Sequence, residues 1–327
     1  MSFLASLGRR ILSRPGRPRS VSLAAGAAIV PTVLVLLGAG GATPGWSTRE
    51  QLPLPRTEVA AAVVNGRIAV AGGFLLDGSS SRSVDLYAPR DDRWTRLPDL
   101  PLGVNHAAAV AFRGRLIVVG GYTGPGRPYR GGWELRGGRW RALPQPPEAR
   151  AAAGAAIAGT RLYVVGGVGP NGLARRMLVF DLVRRRWTTG PGPAPREHLA
   201  AAALGGRLYA IAGRTSGIDT NLALLETWRP GWRSWRRLPP VPTTRGGTGA
   251  AAIGRELVSV GGEEPAGTIA DVWAYHVDRR RWRRLPDLPT PRHGLGVVAL
   301  GGSVYAIAGG ERPGLFVSGT NEALRVR

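Results

Sequence analysis

The chain of 327 residues contains no cysteine. That absence excludes a disulfide framework, a thiolate metal site and a cysteine nucleophile. It leaves an extracytoplasmic location open, because a large domain buries a sufficient core without cross-links. Lysine is absent too, so all 44 basic residues are arginine. With 49 glycines, 27 prolines and much alanine, this reads as a coding bias, and it weakens any single arginine as a functional signal. Acids are scarce, 21 in all, which leaves a formal charge of +23. The four histidines, His106, His198, His276 and His293, stand far apart, with no pair at helix or hairpin ligand spacing. No metal and no cofactor is therefore expected.

Charge is missing altogether between Arg19 and Arg49. Within that gap the run VSLAAGAAIVPTVLVLLGAGG (21–41) is mostly apolar. As a helix it spans roughly 30 Å, the thickness of a bilayer core. Arg9, Arg10, Arg14, Arg17 and Arg19 precede it, which orients the following chain outward. Residues 1–42 are thus a cleaved signal peptide or an uncleaved membrane anchor, and both remain open. The expected location of residues 43–327 is extracytoplasmic, either secreted or membrane-anchored.

Beyond this segment one phrase recurs. RLYVVGG (161–167) returns as RIAVAGG (67–73), RLIVVGG (115–121), RLYAIAG (207–213), ELVSVGG (256–262) and SVYAIAG (303–309). The final glycines, from Gly73 to Gly309, are spaced 46 to 49 residues apart. Trp46, Trp94, Trp140, Trp187, Trp235 and Trp282 keep the same beat, each followed by a proline-rich phrase such as LPDLP. An aromatic stands seven residues before each of the last five: Tyr87, Trp133, Phe180, Trp228 and Tyr275. Each unit reads as four strands: a small apolar strand, a two-residue turn, the glycine-ended strand, the aromatic strand and the tryptophan strand. Units of four strands at this period imply a propeller, with small residues crowding the axis.

The glycine doublet, the aromatic and the tryptophan, six times over from residue 46 to the end, resemble the kelch repeat. The resemblance implies an all-β, six-bladed propeller that acts as a protein- or carbohydrate-binding module. Ala212 and Ala308 replace the first glycine in two copies, a mild change if that position does not need a positive φ. The sixth unit stops after its third strand, and Trp46 opens an unpaired strand. The N-terminal strand is therefore expected to complete the last blade and remove its open edge.

Chain reversal places the start of the first strand and the end of the second at one end of the ring. That mouth gathers Arg56, Arg150, Arg196, Arg245 and Arg292, a ring able to take a carboxylate or sugar acid. The alternative is that Pro-Arg belongs to the repeat and fixes a loop between blades. Glu58, His106 and His198 align with one another, and His293 sits one residue earlier in its copy. Glu263, Glu264 and Glu311 follow glycine doublets at the same end. If these groups face the channel, Glu263 with His198 or His106 forms an acid/base pair; otherwise they line a wet channel.

Two enzyme relatives bear on this. A galactose-oxidase-like site needs a tyrosine cross-linked to cysteine, which this chain cannot form. The kelch-type sialic-acid mutarotases are similar in placing a glutamate after a glycine doublet, and Glu263 matches that element. Pro265 and Gly267 match part of the loop that follows, but its arginine is missing. A sugar-ring isomerase using Glu263 is thus the alternative to a binding module.

The turns opposite the mouth are arginine-rich: RRRW (184–187), WRRLP (235–239) and RRRWRRLP (279–286). Export makes an anionic membrane or envelope surface the expected partner of that face, and nucleic acid is not expected.

Overall fold

The computed structural model describes residues 45–326. The apolar run 21–41, and with it the signal-or-anchor reading, lies outside the described residues. Among the described residues no helix is long and apolar enough to cross a membrane.

Six four-stranded antiparallel sheets follow one another along the chain. Blade 1 comprises Ala60–Val64, Arg67–Ala71, Val84–Ala88 and Arg93–Arg96. The next four blades repeat that order from Ala108–Phe112, Gly154–Ala158, Ala200–Leu204 and Gly249–Ile253. Blade 6 takes Gly296–Leu300, Ser303–Ile307 and Asn321–Arg325 from the C-terminal end and Trp46–Arg49 from the N-terminal side. The closing strand is in register, with Trp46 opposite Leu324 and Arg49 opposite Asn321. The expected closure is therefore present, and the sixth blade has no unpaired fourth position.

The repeated residues now acquire reasons. Asn65-Gly66, Gly205-Gly206 and Gly301-Gly302 turn with both residues at positive φ, which matches the twist of the strands they join. The innermost strands are mostly alanine, and a channel of about 450 Å³ runs between them. Six apolar clusters fill the six gaps between blades; Val64 and Ala71 of blade 1, for example, pack on Leu116 and Val118 of blade 2. Each repeated tryptophan donates its indole N–H to a backbone carbonyl of the preceding blade's proline-rich phrase or its equivalent: Trp46 to Pro286, Trp94 to Glu50, Trp140 to Pro98, Trp187 to Pro144, Trp235 to Pro191 and Trp282 to Pro239, at 2.7–3.0 Å. Tryptophan and proline recur together because one blade's ring satisfies the preceding blade's exposed carbonyl.

Two expectations change. The hairpin after Trp133 turns in two residues, so Leu135 faces Trp140 while Trp133 pairs with Ala142 and stacks on Tyr129. Its seven-residue spacing does not place it with Tyr87, Phe180 and Tyr275, which lie directly opposite their tryptophans. Ala212 and Ala308 sit at φ 54° and 61°, so their position does require the left-handed conformation that the glycines occupy elsewhere. Alanine carries a cost there that glycine does not.

Candidate functional site

The site is built on a turn that recurs in every blade two residues before the innermost strand. Glu58, His106, Ala152, His198, Gly247 and Gly294 hold this position, all with φ between 50° and 66°. Their backbones form a closed ring round the channel. The amide of His106 donates to the carbonyl of Glu58, Ala152 to His106, His198 to Ala152, Gly247 to His198 and Gly294 to Gly247. The amide of Val59 closes the circuit onto Gly294 at 3.2 Å. The ring is a neck, and three side chains occupy it: Glu58, His106 and His198. Glycine at 294 makes room, since a Cβ there would meet the Glu58 carboxylate at 2.6 Å. The neck residues therefore precede the innermost strands rather than lying on them.

The residue just before each neck position bridges to the residue just after the glycine doublet. Thr57 meets Phe74, Asn105 meets Tyr122, Glu197 meets Arg214, Gly246 meets Glu263 and His293 meets Gly310. This second tier stands round the neck at the mouth. Nε2 of His106 lies 2.9 Å from Nε2 of His198 and 3.2 Å from Oε2 of Glu58. The other oxygen of Glu58 is 3.3 Å from Nδ1 of His293. Burial pushes the His106 imidazole down to about 4, against the pull of Glu58. Burial works to raise Glu58, but the imidazoles of His106, His293 and His198 outweigh it and hold the carboxyl well below the usual range. His293 moves up, because Glu58 overcomes the opposing effect of burial. Burial and Glu58 thus move the two imidazoles beside the carboxylate in opposite directions, His106 down and His293 up.

Above the neck opens a cavity of about 850 Å³. His106, His198 and Arg214 lie on its floor, and Phe74, Leu102 and Leu315 on its walls. Phe74 and Tyr122 flank His106 edge-on at 5.6 and 5.5 Å.

The arginine ring is not part of this surface. Arg56, Arg150, Arg196, Arg245 and Arg292 are at most 2 % exposed. Each pairs with a carboxylate: Arg56 with Asp85 (2.5 Å), Arg150 with Glu148, Arg196 with Glu226 (2.5 Å), Arg245 with Asp271 (2.6 Å) and Arg292 with Glu322 (2.7 Å). Four of them also donate to the carbonyl of the first doublet position, as Arg150 does to Gly166 and Arg292 to Ala308. Arg56 uses the carbonyl of Ser83 instead. These five residues fix the loops between blades and present no donor to a ligand. Their backbones serve the same seam, since the amides of Gly121, Gly167, Gly213, Gly262 and Gly309 donate to their carbonyls.

Glu263 is also placed differently from the expectation. Its carboxylate is held by Nη1 of Arg214 at 2.7 Å and by the amide of Gly314 at 3.2 Å, and it lies 3.6 Å from His293 rather than beside His106 or His198. The chain covers it to 3 % exposure. A general base needs an approach to its substrate, and both oxygens here are occupied. Glu264 is half-buried on a short ribbon with Gly267, and Glu311 is exposed in the last loop. Neither joins the cluster.

Asn105 and Glu197 are not singled out by the sequence reading. They precede the neck histidines in NH and REH, and that adjacency is the available signal. Glu58, His106 and His198 bring ligand-type atoms within 4.8 Å of one another, a set with the chemistry to hold a cation.

Comparison with known proteins agrees with this architecture. The Kelch motif model matches residues 55–101, 149–193 and 244–289, which are blades 1, 3 and 5. The chain is similar to Kelch-like protein terF of Aspergillus terreus, 29 % identical over 110 residues, or 32 % of this chain and 24 % of that protein. It is also similar to the F-box/kelch-repeat protein SKIP30 of Arabidopsis thaliana, 38 % identical over 53 residues, or 16 % of this chain and 15 % of that protein. The chain thus spans a quarter or less of these relatives' length. The motif matches, these similarities and the six closed blades together identify the chain as a kelch-repeat β-propeller.

Proposed function

We propose that the propeller is a binding module that takes a protein partner at its mouth, seating an apolar side chain of that partner in the cavity above the neck. One observation carries the reading. Of the five large apolar side chains exposed among the described residues, Leu76, Leu102, Leu315 and Phe316 stand in mouth loops, at 41–70 % exposure. Only Val183 lies at the other end. Exposed apolar surface gathered on one face of a rigid scaffold marks an interaction site. The cavity supplies the pocket that such an interface needs for an anchor. The test is a peptide-display selection and a glycan array probed with the same purified chain. Peptides bearing a large apolar residue should be enriched, and Leu76→Glu with Leu315→Glu should abolish their binding. Enrichment of glycans alone, or peptide binding indifferent to both substitutions, defeats the reading.

We read the opposite end as turned towards an anionic surface in an extracytoplasmic setting. Its support is the exposed arginine at that end, Arg184, Arg186, Arg279 and Arg281 among it, and the start of the closing strand at Trp46 on the same side.

A further inference from the structure

The neck brings two imidazole nitrogens and a carboxylate oxygen together, with the two Nε2 atoms 2.9 Å apart. Nδ1 of His106 lies 2.6 Å from Oδ1 of Asn105. That amide is oriented by its own nitrogen, which donates to Oγ of Ser80 at 2.7 Å and faces the carbonyl of Tyr122 at 3.5 Å. The proton of His106 is therefore assigned to Nδ1, and Nε2 carries a lone pair. At His198 the nearest group to Nδ1 is Oε1 of Glu197, at 3.3 Å. Nδ1 of His198 makes no hydrogen bond at that separation, so its proton sits either there, facing Glu197, or on Nε2, donated to Nε2 of His106. The two Nε2 atoms face each other at 2.9 Å, with Oε2 of Glu58 3.2 Å from the first. Either a proton on one of the two nitrogens or a cation among the three groups relieves that meeting.

We propose that Glu58, His106 and His198 bind a divalent transition cation, zinc as the first candidate, at the neck of the channel. Two imidazoles and a carboxylate are a zinc or iron(II) donor set, and three protein ligands leave a position open. Metal–ligand distances of about 2.1 Å in a tetrahedron separate ligand atoms by roughly 3.4 Å; Nε2 of His106 lies 2.9 and 3.2 Å from the other two groups, and all three fall within 4.8 Å. The surroundings fit as well. Ligating histidines hold their second nitrogen against a carboxylate or another oxygen; Asn105 does so for His106, and the Glu197 carboxylate stands 3.3 Å from Nδ1 of His198. All three ligands stand on the hydrogen-bonded backbone ring, so the site is organised before the metal arrives. The open position faces the cavity, where a carboxylate or hydroxyl of a bound partner would complete the coordination. The metal site stands apart from the partner reading, since a cation is detectable without any partner present.

The full chain, purified without a polyhistidine tag and stripped with chelator, is titrated with zinc by calorimetry. One equivalent should bind. His106→Asn and His198→Asn should each abolish binding; asparagine tolerates the left-handed backbone that these positions require. Glu197→Gln should weaken binding about tenfold by loosening the support of His198. His276→Ala, at the far end of the propeller, should leave it unchanged. X-ray absorption on the zinc-loaded wild-type chain needs no variant and should count two imidazoles. Absence of saturable binding, which is the result if only a proton bridges the two histidines, overturns the proposal. So does binding that survives both asparagine variants, or a spectrum with fewer than two imidazoles.

Discussion

At the mouth of the propeller the repeated arginines are buried; at the opposite end they are exposed. Arg196 and Arg292 are fully covered, and each guanidinium meets a carboxylate and two or more backbone carbonyls. At the far end Arg184 and Arg255 remain 66 % and 55 % exposed even where they lie beside an acid. There Arg207, Arg229 and Arg236 gather over the Trp232 ring at 4.0–5.2 Å. One residue type thus serves two purposes. Inside, its planar fork satisfies carbonyls that no strand pairs. Outside, it sets the surface charge. The exposed apolar residues are distributed in the reverse sense, so the mouth is the less charged and more adhesive end.

The largest effect expected from breaking this arrangement comes from the seam that joins the ends of the chain. Deleting residues 46–52 removes the fourth strand of blade 6, the buried Trp46 and Leu52, and the indole bond to Pro286. Blade 6 then has an unpaired outer edge at Asn321–Arg325, and loss of the cooperative melting transition is expected. A transition unchanged in calorimetry would mean that closure contributes nothing. Next in size is the contrast between the two arginine sets. Arg196→Met leaves Glu226 buried without its partner, and breaking such a pair costs about 3–5 kcal/mol. For a protein of this size that is a fall in Tm of about 10 °C. Replacing both members by apolar residues should recover part of the loss. Arg281→Ala, on the exposed set, should stay within about 0.5 kcal/mol of the parent. Equal losses from the inner and outer substitutions would erase the distinction.

The fold was legible because a propeller is repetition, and repetition survives in a single sequence. Six glycine-ended strands and six tryptophans specified the number of blades, and the odd strand at each end specified the closure. The site was legible only in part. His106, His198 and Glu58 aligned within the repeat and do meet, but the choice of Glu263 as their partner failed. A repeat alignment gives position round the ring, not which way a side chain leans, and Arg214 reaches Glu263 first. The arginine ring was misplaced as a ligand surface for a related reason. Sequence shows that five blades share an arginine, while the carboxylates that neutralise it sit at differing offsets: Glu148 two residues before its arginine, Asp271 and Glu322 26 and 30 residues after theirs. The need for positive φ at Ala212 and Ala308 was hidden because alanine gives no sign of it.

The smallest expected effect concerns the exposed end, and it separates a charged surface with a role from one left by composition. Each basic residue close to an anionic bilayer adds about 1 kcal/mol of attraction, within a Debye length of about 10 Å at 0.1 M salt. Arg186, Arg279 and Arg281 are exposed at this end. Replacing all three by serine should weaken binding to phosphatidylglycerol vesicles, by about 100-fold at most if each contributes fully. Binding to neutral phosphatidylcholine vesicles should not change, which isolates the charge from any contribution of the apolar run at 21–41. Added salt should abolish the difference between parent and variant, because screening acts on charge and not on buried apolar area. If the serine variant and the parent bind anionic vesicles alike at low salt, the arginine end is a solvated surface and the mouth is the only face of the propeller with a partner to find.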